Sequence, residues 1–173
     1  ADSFTATTLG DYGNVTVMEV SGNYDANNAD GSLNSIPRQE IAKEFFRLHK
    51  DEYDFLVVFS NFDFKMPSGE ADAFYIHVKN DTQGTGQAIF DYSEDFGSGS
   101  KLQGMVDMGN IQSLDTGTLS PGFENTLTIL GHEILHRWGS YAKFRDWNGN
   151  TSSAFLGKNG DHWSYLLNTY GSL

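Results

Sequence analysis

The sequence predicts a mixed α/β (α+β) domain, and three observations carry that expectation. A helical apolar period follows Pro37, short apolar or alternating runs recur between residues 54 and 108, and a longer helical period surrounds His132 and His136. Strands bracketed by two helices suit a mixed twisted sheet with a backing helix, a second helix that carries polar chemistry on one face, and a small C-terminal lobe. At 173 residues the chain fits a single domain, 1–173, with an N-terminal lobe over 1–139 and a short C-terminal lobe over 140–173.

The elements follow in order. Asn14 to Val20 reads as the first strand, with Val15, Val17 and Glu19 alternating against Thr16, Met18 and Val20. The polar stretch from Ser21 to Asn34 reads as a loop. Pro37 fits the first turn of a helix, and Ile41, Phe45 and Leu48 recur at i, i+4 and i+7, so residues 37–49 are expected to back the sheet. Phe55-Leu56-Val57-Val58-Phe59, inside Asp54 to Ser60, is an apolar run expected of a strand buried on both faces. Ala73 to Lys79 sets Phe74, Ile76 and Val78 against Tyr75, His77 and Lys79, the pattern of a half-buried strand. Gln87 to Tyr92 and Leu102 to Met108 read as two more short strands around the turn-forming Phe96-Gly97-Ser98-Gly99-Ser100.

Ser120 can cap and Pro121 can open a helix that runs to Trp138, with Gly139 placed to end it. Phe123, Leu127, Leu130, Ile134 and Trp138 make one apolar stripe, expected to pack inward. At 100° per residue His132 and His136 lie roughly opposite the start of that stripe, where a cleft would open.

Composition excludes several functions. A net charge of −12 would repel nucleic-acid phosphates, and no apolar run is long enough to span a membrane. With no cysteine, disulfides and thiolate ligation are impossible, so a metal must be held by His, Asp, Glu or backbone oxygen. The chain begins Ala1-Asp2-Ser3, which reads as a mature end after signal removal or a segment boundary, so a secreted monomer is expected.

His132-Glu133-Ile134-Leu135-His136 is an HExxH sequence. Histidines at i and i+4 on a helix lie one turn apart on one face, so one Zn²⁺ can reach both imidazoles. Glu133 sits beside them, placed to take a proton from a water whose pKa the metal lowers toward about 7. A catalytic zinc wants three protein ligands. After His136 the only histidine is His162, in Asn159-Gly160-Asp161-His162-Trp163, and it is the candidate third ligand. Asp161 and Asp146 compete for that position, and Asp161 also reads as an N-cap or as an acceptor that orients a ligand.

On these residues the chain resembles the zincin metallopeptidases, with Gly139 matching the glycine of the metzincin extension HExxHxxGxxH. Ala142 stands where that extension has its third histidine, and all four methionines precede the motif, so there is no Met-turn. No glutamate follows Glu133 as the gluzincin branch requires, and the Gly-Thr-x-Asp pattern of the aspzincins is missing. The resemblance implies a zinc endopeptidase in which an extended polypeptide adds to an antiparallel edge strand, here the strand ending near Tyr92. Tyr165, or Tyr170, is a candidate for stabilising the oxyanion.

The same residues also suit a zinc hydrolase of a non-peptide amide or ester, and a non-catalytic metal- or peptide-binding module with a structural ion. His49 and His77 lack metal spacing. Asp146-Trp147-Asn148-Gly149-Asn150 begins like a Ca²⁺ loop but has Thr151 at the turn glycine and Gly157 at the bidentate glutamate, so a turn with Asx bonds is the other reading. Asp25, Asn27, Asn28, Asp30 and Gly31 offer a comparable alternative for Ca²⁺.

Overall fold

The computed structural model describes residues 3–67, 71–115, 125–157, 160 and 162, and it is mixed α+β. Two compact units share the chain. The first comprises residues 1–79 and 91–113, and the second 80–90 and 114–173. The HExxH helix thus groups with the segment that follows it.

The first unit opens with a hairpin, β1 (Thr5–Tyr12) and β2 (Val15–Ser21), paired antiparallel. Its loop is Gly13-Asn14, with Gly13 at φ 65°, a conformation that costs a side-chain-bearing residue but not glycine. The register slips between Thr8 and Gly10, leaving Leu9 as a bulge. The sequence showed β2 but not β1. Helix α1 (Ile36–Leu48) starts with Pro37 in its first turn and buries Pro37, Arg38, Ile41 and Ala42. Phe46 packs on the core beside them, whereas Leu48, expected on the apolar stripe, is exposed.

The main sheet orders β3 (Phe55–Ser60), β7 (Gly104–Asn110) and β4 (Phe74–His77), with β3 parallel and β4 antiparallel to β7. Burial on both faces belongs to β7 and not to β3 as expected. The central strand is covered from Gly104 to Gly109, while Val57 and Phe59 of the flanking β3 are exposed. Leu102, Met105, Ile76 and Val78 build the core with Phe4, Tyr24 and Phe96. β5 (Lys79–Asn80) pairs only with β6 (Phe90–Asp91), which is what remains of the strand expected over Gln87 to Tyr92; the antiparallel edge of the main sheet is β4.

A fully buried ion pair sits in this core. Arg38 donates through Nε and Nη2 to Asp107 Oδ2 at 3.0 and 2.8 Å, and through Nη1 to the Tyr24 carbonyl at 2.9 Å. The Tyr24 hydroxyl donates to the same carboxylate at 2.9 Å, and Gly109 N–H donates to Asp107 Oδ1 at 3.0 Å. Burial, then the neighbouring Asp107 charge, pushes the Tyr24 phenol well above its ordinary pKa. A buried charge pair costs little only when its polar atoms are met, and each nitrogen of Arg38 and each oxygen of Asp107 has a partner.

In the second unit, α2 (Thr126–Leu135) begins at Asn125, whose side chain accepts from Thr128 N–H at 2.9 Å. Thr126 N–H and Oγ1 both donate to the Asp115 carbonyl. The helix therefore starts later than the expected Ser120 and Pro121, which lie outside the described residues together with Phe123. The expected packing stripe is met only in part, with Leu130 and Ile134 half-buried. Leu127 and Trp138 are exposed, and the buried side carries Glu133, His136 and Arg137. The hairpin of β8 (Phe144–Arg145) and β9 (Thr151–Ser152) follows, with Phe144 stacked on Phe155 at 4.2 Å. Among the described residues no helix is long and apolar enough to cross a membrane.

Candidate metal centre

The last turn of α2 and the residues after it position the first two histidines. His132 lies within the helix, and His136 caps it with helical backbone angles, one residue beyond Leu135. From there the chain tightens. His136, Arg137 and Trp138 N–H each donate three residues back, to Glu133, Ile134 and Leu135 carbonyls, before Gly139 N–H closes on Leu135. The i, i+4 spacing survives this tightening, with the two rings 5.2 Å apart between centroids.

His162 reaches them by a return of the chain. Gly160, at φ 72°, donates to the Gly157 carbonyl, and Gly157 N–H donates to the His162 carbonyl at 2.6 Å. The His162 ring then lies 4.6 Å from that of His136 and 5.5 Å from that of His132. One ligand atom from each of the three histidines lies within 4.8 Å of the others, so the group can hold a metal ion. An ion bound at about 2.0–2.1 Å in tetrahedral geometry would hold such nitrogens about 3.4 Å apart, so modest side-chain rotation closes the set.

Access is graded across the three: His136 is buried, His132 half-buried and His162 exposed. Burial, then the charge of His162, lowers the His132 pKa from the ordinary histidine value. Both effects favour the neutral imidazole, which is the form that ligates. Glu133 is buried at 7% exposure, and its Oε2 lies 3.9 Å from His136 Nε2. At that distance the carboxylate is beside the ring without a hydrogen bond to it, near enough to handle the proton of a water bound next to the histidines.

Other sequence candidates fall elsewhere. Asp146 Oδ1 accepts from Asn148 and Asn150 N–H at 2.9 and 2.8 Å, so Asp146 to Asn150 form an Asx turn closing the β8–β9 hairpin, with Trp147 exposed at its tip. Asp146 is not in the three-histidine group. Asp25 accepts from Lys65 N–H and ties its loop to that distant segment, while Asp30 accepts from Ser32 N–H within the loop. His49 stacks on Phe45 and faces Asp11, and His77 meets Tyr75 edge-on, both in the first unit. Asp161, Tyr165 and Tyr170 lie outside the described residues.

One group near the site had no sequence signal. Arg137, directly after His136, is buried at 2% exposure and donates to Asn80 Oδ1 and Asp81 Oδ1, each at 2.9 Å. Only tertiary contact with residues some 57 positions away in sequence reveals it. Compared with known proteins, the chain matches no family model, no curated sequence and no solved structure.

Proposed function

We propose that this chain is a zinc-dependent metallopeptidase, in which His132, His136 and His162 hold the ion and Glu133 is the proton-transfer group. The observation that carries this reading is the convergence of the two HExxH imidazoles and that of His162, with the buried Glu133 3.9 Å from His136. Three nitrogen donors without thiolates suit zinc, and three protein ligands are the count that catalytic zinc sites use. When bound, zinc supplies Lewis acidity, polarising a carbonyl oxygen and lowering the pKa of water to about 7.

Glu133 then has two tasks. Its carboxylate takes the proton of the attacking water, and after the tetrahedral species forms, the same carboxyl gives that proton to the leaving nitrogen. The proton is thus borrowed and returned, and the net reaction is hydrolysis of one amide bond. A peptide substrate is inferred from this donor set and acid–base group, not from an edge strand.

The test is a Glu133→Gln variant assayed on casein or a peptide library with one equivalent of Zn²⁺. Zinc stoichiometry should be unchanged while hydrolysis falls about 10²–10⁴-fold. Full activity in the variant, or a wild-type chain that binds no metal, would sink the reading. Cleavage of model esters with no peptide cleavage would move the assignment to a non-peptide hydrolase.

A further inference from the structure

His136 stands outside the regular helix that holds His132. Its backbone is fixed by a turn of three-residue hydrogen bonds, and helix ends of this kind fray. A two-histidine grip needs both side chains held in fixed relation, so something beyond α2 must hold the turn. The next residue provides it.

The Arg137 guanidinium reaches into residues 80–90 of the same unit, with Nη1 on Asn80 Oδ1 and Nη2 on Asp81 Oδ1, both at 2.9 Å. Asn80 is itself fully buried, and its Nδ2 donates to the Ala88 carbonyl at 2.8 Å, closing the segment on itself. A second point of contact lies five residues after His136. Gly86, at φ 89°, sits so close to the Tyr141 carbonyl that a Cβ there would come within 1.7 Å of the oxygen. The segment is therefore fitted against 137–141 at two places, one ionic and one steric.

We propose that Arg137 is a positioning residue for the metal centre: by tying the turn after α2 to the 80–90 segment, it fixes His136 for ligation, and metal binding in turn steadies that segment. The proposal rests on the three-histidine reading above. Lysine offers a point charge that cannot satisfy two separate oxygens with the fixed fork of arginine, so Arg137→Lys should restore only part of the effect.

The experiment uses the full chain titrated with Co²⁺, read by visible absorption, with hydrogen exchange at Thr82 and Gln87 followed in parallel. Wild type should bind one Co²⁺ and gain protection at these amides. Arg137→Met should lose about 10- to 100-fold in Co²⁺ affinity, the range seen when partners that orient ligands are removed. It should also lose the coupled protection, with Arg137→Lys in between. Asp81→Asn, at a half-exposed carboxylate, removes only the ion pair and carries the test if Arg137→Met does not fold; it should weaken Co²⁺ binding in the same direction. Co²⁺ affinity unchanged in a folded Arg137→Met, or in Asp81→Asn if Arg137→Met does not fold, overturns the proposal, as does wild-type binding without protection at Thr82 and Gln87. Absence of Co²⁺ binding by wild type overturns instead the metal reading beneath it.

Discussion

The two units bury different chemistry. In the first, the covered residues are mostly apolar, with Leu102, Met105, Val106 and Met108 at 0% exposure around a single ion pair whose partners are all met. In the second, every buried residue among those described is polar or charged: Asn80, Thr85, Glu133, His136, Arg137 and Ser140. One unit is held mainly by exclusion of water, with a buried ion pair and a few buried polar side chains such as Ser93 and Ser98. The other buries polar side chains, among them Arg137 on Asn80 and Asp81, and it carries the three-histidine group. A metal held by the three histidines would bind only the folded second unit, so stability and function are expected to be coupled there and separable in the first.

The largest effect should come from breaking the buried ion pair of the first unit. Asp107→Ala leaves the Arg38 guanidinium buried without its carboxylate and should cost about 3–5 kcal/mol in urea unfolding. A cost below about 1 kcal/mol would mean that water reaches Arg38 and that the contrast between the units is overdrawn.

Metal should sharpen the contrast from the other side. Free Zn²⁺ at a hundred times its Kd should add about 2.7 kcal/mol to the unfolding of the second unit, reversed by a chelator. Amide protection along β7 should not change. The sign with pH is fixed by His132, whose folded-state pKa is lowered by burial and by His162. Near and below about pH 6.5 the unfolded chain binds more protons than the folded one, so metal-free stability falls on acidification. A His132→Asn variant should flatten that slope, and metal affinity should fall over the same range as protons compete for the ring.

A smaller effect tests whether α2 depends on its cap. Asn125→Ala removes the acceptor for Thr128 N–H and should cost about 1 kcal/mol, seen as faster amide exchange in the first turn of α2. If exchange near Leu135 accelerates as much, the whole helix melts as one piece and His132 is held less firmly than His136.

Much of this was legible in the sequence, and the gaps have physical causes. Strands with strong period-two or continuous apolar patterns, β3, β4 and β7, could be read locally, as could α1 from Pro37 and Ile41. β1 could not, because Thr-Ala-Thr-Thr-Leu-Gly-Asp-Tyr has almost no apolar alternation and takes its form from pairing with β2; the Gly13-Asn14 loop was the overlooked sign. Which of two apolar strands is covered on both faces depends on sheet order, and β7 lies centrally only because β3 and β4 flank it. The three histidines were legible because HExxH is a local rule of helix geometry and His162 was the one remaining histidine downstream. Ser120-Pro121 carries the stronger local signal for a helix start, whereas α2 begins at Asn125, where its side chain accepts from Thr128 N–H and Thr126 donates to Asp115. The buried face of α2 was misjudged because tertiary contacts cover Arg137 and Glu133 while Leu127 stays in water, against simple apolar patterning.

The placement of Trp147 at a hairpin tip and of Trp138 beside Arg137 has an optical consequence. All three tryptophans of the chain, Trp138, Trp147 and Trp163, fall within residues 114–173, and the first unit has none. Indole emission excited at its red edge therefore reports on one unit alone. Trp147, at 95% exposure, should glow at solvent-like wavelengths whatever the metal does. Trp138, with the Arg137 guanidinium 5.5 Å from its ring centroid, is placed to change colour or intensity when the turn after α2 is tightened or released.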